Sequence, residues 1–313
     1  MTTTLKGIGL AAAACAVVLS GCASTPKSAA PAGLAPTASL AFPDDHLAMQ
    51  ASAFESFMRR ARGIDADFSG PSDVAQALQT GAAHEPKELE AGMIAYAAMA
   101  ALQEPRFVAA VRAERDRGDL SRRLMANPQA ALALPGGEAA GARASGALYA
   151  QGAALESGGQ KVKRAAYSVQ HQAWSKTKVA DAAGRLSRVK RISAAGYQPT
   201  HEDTAELQAA LSQGGRRGGP PSAVVAHGVA LAALSVMGED RKARSLMSEP
   251  RAGSCLRMAK LNLYQCLASA GPHYEDIFCL GQHAMIDPGQ CVVDATHAPA
   301  VHRVAVTQAS YGR

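Results

Sequence analysis

Along most of the chain apolar positions recur at three- and four-residue intervals, while alternating and β-branched runs are rare, so the pattern predicts helices throughout. Leu47, Phe54, Phe57 and Met58 give the spacing of a first amphipathic helix, beginning near Asp44 and stopping at Gly63. Ser72 and Asp73 open a short second one. Glu85-Pro86-Lys87-Glu88 starts a stronger helix, with proline in its first turn and acids at the positive end of the helix dipole. Almost no charge interrupts Leu89, Met93, Ile94, Tyr96, Met99 and Leu102, which marks a helix buried on every side. Glu104-Pro105 turns the chain, and Phe107, Val108 and Val111 begin a more polar partner helix. Thr200 and Asp203 are spaced as a capping box for a helix running to Leu211. Ser222 to Met237 is a second near-continuous apolar helix. Hairpins are expected around Gln103, Gly238 and Gly271. The expected fold class is therefore all-α, with helical hairpins packed as a bundle or a short solenoid; no clean period names a repeat family.

Breaks in this pattern suggest an organisation. Ala23 to Leu40 holds Pro26, Pro31 and Pro36 among Ala, Ser and Thr with no period, so residues 22–40 are expected to be a disordered tether. Stretched at ~3.3 Å per residue, it would reach about 60 Å. Gly214-Gly215-Arg216-Arg217-Gly218-Gly219-Pro220-Pro221 is the clearest linker. It is expected to separate a helical domain, 41–213, from a C-terminal helical domain, 222–297, and residues 298–313 from Ala298 onward are expected to be a disordered tail.

Charge adds one feature. The net charge is a modest +6, but between Gln160 and Ile192 stand Lys161, Lys163, Arg164, Lys176, Lys178, Arg185, Arg188, Lys190 and Arg191 against the single acid Asp181. On a helical wheel Val179, Ala182, Leu186 and Val189 share one face, flanked by Lys178, Arg185, Arg188 and Arg191. If continuous, this basic helix would be about 50 Å long at 1.5 Å per residue, though the glycines, Gly141, Gly146, Gly152 and Gly158, threaten its first half. Its polar side is the expected binding surface, suited to lipid head groups, wall carboxylates or an acidic protein partner. Aromatic residues are only 4% of the chain, with a single Trp, Trp174, so nucleic acid is not an expected ligand.

The first residues suggest an address. One cation, Lys6, precedes an apolar run from Ile8 to Leu19, a signal-peptide profile too short for the ~20 residues that a membrane-spanning helix needs. Leu19-Ser20-Gly21-Cys22, directly after that run, resembles the lipobox of bacterial lipoproteins. The resemblance implies a signal peptide of residues 1–21, cleavage before Cys22, acylation of that cysteine and a firm membrane anchor. Ala23 in place of Asp implies, for a Gram-negative lipoprotein, the outer membrane with the body facing the periplasm.

Cys255, Cys266, Cys279 and Cys291 all fall in the last sixty or so residues, and in an oxidising compartment an even set reads as disulfides. Ser254 to Ala268 reads as one helix, which sets Cys255 and Cys266 about 16 Å apart, beyond bonding reach. Gly271-Pro272 turns the chain, and His273 to Met285 reads as a second helix ended by Asp287-Pro288-Gly289. In an antiparallel hairpin facing residues keep a nearly constant index sum, which selects Cys266–Cys279 and Cys255–Cys291. The alternative, a metal site combining these thiols with His273, His283 or His297, lacks the close cysteine pair that grips zinc.

No Gly-x-Ser-x-Gly elbow, His-Glu-x-x-His or phosphate-binding loop is present. Glu55-Ser56 and Glu156-Ser157 match the Glu-Ser of lytic transglycosylases, but neither is followed by the Gly-Leu-Met-Gln stretch of those enzymes. His201-Glu202-Asp203 is accounted for by helix capping. No catalytic residue, metal or cofactor is therefore expected. The functional expectation is a non-catalytic scaffold or adaptor in envelope organisation; the other reading is a peptidoglycan-active enzyme or its accessory factor. An enzyme should present a cleft with a buried, paired glutamate, and a scaffold only exposed charge and apolar grooves.

Overall fold

A computed structural model describes residues 45–115, 118–213 and 215–297. The expected signal peptide, Cys22, the tether and the tail from Ala298 lie outside the described residues. Among those described, the chain is helical, with one isolated bridge between Lys178 and Pro272. The first half consists of α1 (Asp45–Arg62), α2 (Pro71–Gly81), α3 (Pro86–Ala101), α4 (Pro105–Glu114), α5 (Leu120–Ala126) and a 33-residue α6 (Gly137–Val169). There follow α7 (Ala173–Lys176), α8 (Ala182–Ala194), α9 (His201–Gln213), α10 (Ala223–Val236) and α11 (Asp240–Ala243). The chain closes on α12 (Pro250–Ser269), α13 (His273–Cys279), a π-helical stretch (Leu280–Ile286) and α14 (Asp287–Asp294).

Local chemistry sets the starts of these helices. The Glu85 carboxylate accepts the Lys87 and Glu88 amides at the head of α3, and Ser222 Oγ accepts the Val225 amide at the head of α10. Thr200 and Asp203 cap α9 reciprocally: Thr200 N donates to Asp203 Oδ2 at 2.9 Å and Asp203 N to Thr200 Oγ1 at 3.3 Å. The second helix begins slightly earlier than Ser72, at Pro71, with Asp73 accepting from Gly70 N.

The two uncharged helices form the centre. Every residue from Gly92 to Ala101 of α3 is buried, and α3 packs on α1, α6, α10 and α12. Small residues let the axes approach: a methyl on Gly228 of α10 would stand 2.6 Å from Ala97 Cβ. The linker expected at 214–221 therefore divides no core. Met93, Leu148, Val229, Leu256 and Leu280, drawn from both sides of it, belong to one buried cluster. The segment itself lies along α6, with Arg217 N donating to Ala142 O at 2.8 Å.

Three further expectations need correction. The glycines of α6 do not break it, because they form its contact surface. Gly152 meets Gly289 and Gly159 meets Gly281, at distances where an added methyl would lie 2.5–2.9 Å from the opposing backbone. The basic stretch is not one long helix: it leaves α6, makes the single turn of α7, extends through Thr177–Val179 and resumes as α8. The break exists because Val179 N donates to Gly271 O and His273 N to Thr177 O, tying the extended residues to the turn of the C-terminal hairpin. Finally, Asp287-Pro288-Gly289 does not stop the second hairpin helix. Proline crowds the carbonyl four residues back, and the widened π turn ahead of it makes room, so helix continues to Asp294. The hairpin carries both disulfides in the expected pairing, Cys255–Cys291 and Cys266–Cys279, each with Cα atoms 5.7 Å apart.

Candidate functional site

The basic segment is mounted on the stapled hairpin by one buried cation. Arg185, expected on the exposed face, points inward instead: its guanidinium bonds Asp276 Oδ1 at 2.5 Å and the carbonyls of Leu267 and Ala270. The reason is the helix end at Leu267–Ala270, whose unpaired carbonyls and the nearby carboxylate of α13 offer a cation more than water does there. Burial pushes the Asp276 carboxyl up, more than Arg185 lowers it. The other three selected cations, Lys178, Arg188 and Arg191, are exposed, as are Lys161, Arg164, Lys176 and Lys190. Arg188 lies 3.4 Å from Asp181, an exposed pair of little energetic weight. Lys190 Nζ sits 5.6 Å above the Tyr264 ring of α12.

Beside this surface, the C-terminal end of α6 and the hairpin enclose a groove of about 390 Å³. Tyr167, Tyr274 and Phe278 stand around it, with Gln170, Ser269 and Glu275 between them and the Cys266–Cys279 bridge in its wall. Tyr167 and Phe278 meet edge to face at 6.4 Å, and Lys163 Nζ lies 5.3 Å from the Phe278 ring while donating to Gln282 at 2.7 Å. Glu275 is fixed by the Gly271 amide at 2.7 Å. Sequence reasoning missed this groove, since Tyr167 lies more than a hundred residues before Tyr274 and Phe278.

Of the two Glu-Ser pairs, Glu156 is part-exposed on α6 with its backbone against Gly289. Glu55 is buried, bonded by Arg59 Nε at 3.2 Å, and burial raises its pKa against the lowering effect of Arg59. Arg59 also reaches Asp203 at 2.9 Å. Burial would raise the Asp203 carboxyl too, but bonds from Thr200 and from the Tyr197 hydroxyl hold it at about 2. A cleft of about 610 Å³ lies alongside, lined by Arg59, Arg60 and Asp65 among others; Glu55 is not in its wall.

A second buried polar cluster also escaped the sequence reading. Lys260 of α12 donates to Ala82 O at 3.0 Å and Ser193 Oγ at 3.1 Å, with His84 Nδ1 at 3.4 Å. Burial pushes its pKa down to about 7, with Glu85 acting the other way. The signal was present: Lys260 shares the helical spacing of Leu256, Leu263 and Leu267, a charge on an apolar stripe.

The four thiols of the C-terminal hairpin are consumed in disulfides, and among the described residues no group of three or more His, Cys, Asp or Glu could hold a metal ion. No described helix is long and apolar enough to cross a membrane. No protein-family model matches the chain, nor does any curated protein or any solved structure.

Proposed function

We propose that the chain is an envelope lipoprotein, anchored through Cys22 on the periplasmic side of the outer membrane, whose helical body is a non-catalytic scaffold or adaptor. It holds the cell wall or an acidic protein partner on its basic face. The observation that carries this reading is the mounting of residues 173–194. Arg185 is given up to the interior to fix α8 on the disulfide-braced hairpin, which leaves Lys176, Lys178, Arg188, Lys190 and Arg191 on a rigid surface with Asp181 as their one nearby acid in the segment. Each exposed charge contributes little alone, but several of one sign on a fixed backing attract an acidic polymer in a salt-sensitive way.

The test mixes the body from Phe42 onward, which forms one compact unit, with purified wall sacculi, and assays both the pellet and the supernatant. Pelleting without sugar fragments is expected, lost when Lys178, Arg188 and Arg191 are changed to Gln or the salt is raised several-fold. Neither pelleting nor fragments would move the target to an acidic protein. For the anchor, Cys22→Ser is expected to shift the full chain from the membrane to the soluble fraction; a variant that stays in the membrane would refute it.

One observation favours the enzymatic reading: Glu55 is buried, paired and raised in pKa, beside a cleft. A general acid must reach its substrate within hydrogen-bond distance, and Glu55 does not line that cleft, whose wall is formed by its partner Arg59 among others. Sugar fragments released by the native body and not by Glu55→Gln would overturn the scaffold reading.

A further inference from the structure

Aromatic residues are scarce in this chain, and several of them serve the core, Phe54, Tyr96 and Phe107 being fully buried. It is therefore informative that Tyr167, Tyr274 and Phe278 stand around a single groove, and that Tyr167 is 53% exposed there. An aromatic ring held in water costs hydration free energy that burial would recover. Tyr274 and Phe278 are half-buried against the core and turn part of their rings to the groove, while Tyr167 stands open with no packing reason of its own.

The chemistry between the rings narrows the occupant. Gln170 brings an amide, Ser269 a hydroxyl and Glu275 a carboxylate, so apolar faces alternate with hydrogen-bonding groups. A lipid chain would strand those polar groups. A nucleic-acid phosphate would meet Glu275. A sugar ring satisfies both: its C–H face lies on an aromatic ring, and its hydroxyl or acetamido groups bond the amide, hydroxyl and carboxylate. The volume, about 390 Å³, falls in the range of roughly 300–1,000 Å³ typical of small-ligand sites. The walls are preformed, since Cys266–Cys279 fixes one side and Glu275 is locked to Gly271 N at 2.7 Å. Lys163 over Phe278 and the exposed Arg164 lie one turn from Tyr167 on α6, so cations border the groove on that side.

We propose that this groove is a glycan subsite that takes an N-acetylated amino-sugar segment of a wall strand, with Tyr167 and Phe278 as stacking platforms and Gln170, Ser269 and Glu275 as the polar contacts. The proposal rests on the reading that the body meets the cell wall, and it assigns the contact to the groove as well as to the cations.

The test titrates the full chain, in detergent, with soluble β-linked N-acetylglucosamine oligomers by calorimetry. Saturable binding is expected, weakened at least about fivefold by Tyr167→Ala and unchanged by Arg188→Gln with Arg191→Gln. Tyr167 is exposed, so its loss leaves the fold intact; circular dichroism of the variant confirms this, and Gln170→Ala gives a second reading of the same site. Sacculus pelleting with no oligomer binding at millimolar concentration would overturn the subsite and leave the scaffold reading standing. Oligomer binding indifferent to both Tyr167→Ala and Gln170→Ala would also overturn it, by placing the sugar elsewhere. Absence of both pelleting and oligomer binding would remove the wall as the target and the subsite with it. Binding to anionic vesicles that depends on Tyr167, without sugar binding, would reassign the groove to lipid.

Discussion

Two buried cations govern how single residues matter in this molecule. Lys260 places its ammonium among the Ala82 carbonyl, the Ser193 hydroxyl and the His84 ring, so one side chain joins the end of α2, the start of α3 and α8 to α12. Burial, and then the charge of Lys260, keep the His84 pKa well below its usual value, so a neutral ring faces the amine. Lys260 itself titrates near 7 when folded and near 10.5 when unfolded, so between those values the unfolded chain binds more protons. The cost of burying the ammonium is full below about pH 7 and fades as the pH rises towards the unfolded value, and stability should climb by up to about 1.4 kcal/mol per pH unit. Urea midpoints at pH 7, 8 and 9 check this, and Lys260→Met should flatten the climb. Arg185 gives a different test. Arg185→Met leaves Asp276 buried without its partner and is expected to cost about 3–5 kcal/mol, while Arg188→Gln, at an exposed pair, should cost less than about 0.5 kcal/mol. Thermal unfolding of the two variants separates the roles that a helical wheel had made equal. The wheel placed Arg185 with the other cations because its partner, Asp276, lies 91 residues away and carries no mark in the local pattern.

At the scale of elements, what is local was readable and what depends on a distant partner was not. Glu85, Thr200 with Asp203, and Ser222 announce helix starts through bonds made within three residues, and the apolar runs of α3 and α10 announce burial directly. The disulfide register followed from rise per residue together with the constant index sum of an antiparallel hairpin. Each bridge constrains the unfolded chain, and reduction is expected to cost roughly 3 kcal/mol for the 13-residue separation and roughly 4 kcal/mol for the 36-residue one, measured as the shift in urea midpoint with and without reductant. The glycines of α6 misled because glycine in isolation weakens a helix. For Gly152 and Gly159 the partners lie in α14 and the π turn, more than a hundred residues on, and for Gly146 in the backbone at Gly215. A methyl at Gly281 would stand 2.5 Å from the Lys163 backbone nitrogen, which cannot yield as a side chain can. Gly281→Ala should therefore destabilise by about 1–3 kcal/mol, where an open helical site would gain from the same change. The aromatic groove was hidden for the same reason: Tyr167 and Phe278 are unremarkable until two elements distant in sequence meet.

At the scale of the whole molecule, the helices before and after residues 215–221 share one core, with α10 against α3 and the π turn and α14 against α6. The glycine- and proline-rich segment is a strap along α6 and not a hinge. If a protease site is placed at Gly218-Gly219 and cut, the two fragments are expected to co-elute on gel filtration with unchanged helicity; separation would refute the shared core. The same arrangement has a consequence in time. A chain emerging from its N-terminus makes α3 and α6 long before the helices that cover them, and it makes α8 before Asp276 exists to receive Arg185. Until α13 has arrived, α8 can rest on α2 and α12, but Arg185 lacks its carboxylate and the groove lacks Glu275, Phe278 and the Cys266–Cys279 bridge. A ribosome that stops twenty residues short of Asp294 thus releases a chain with most of its mass and every cation of the basic segment, but without Asp276, Glu275, Phe278 or either disulfide, so the last residues made decide whether those parts become a surface.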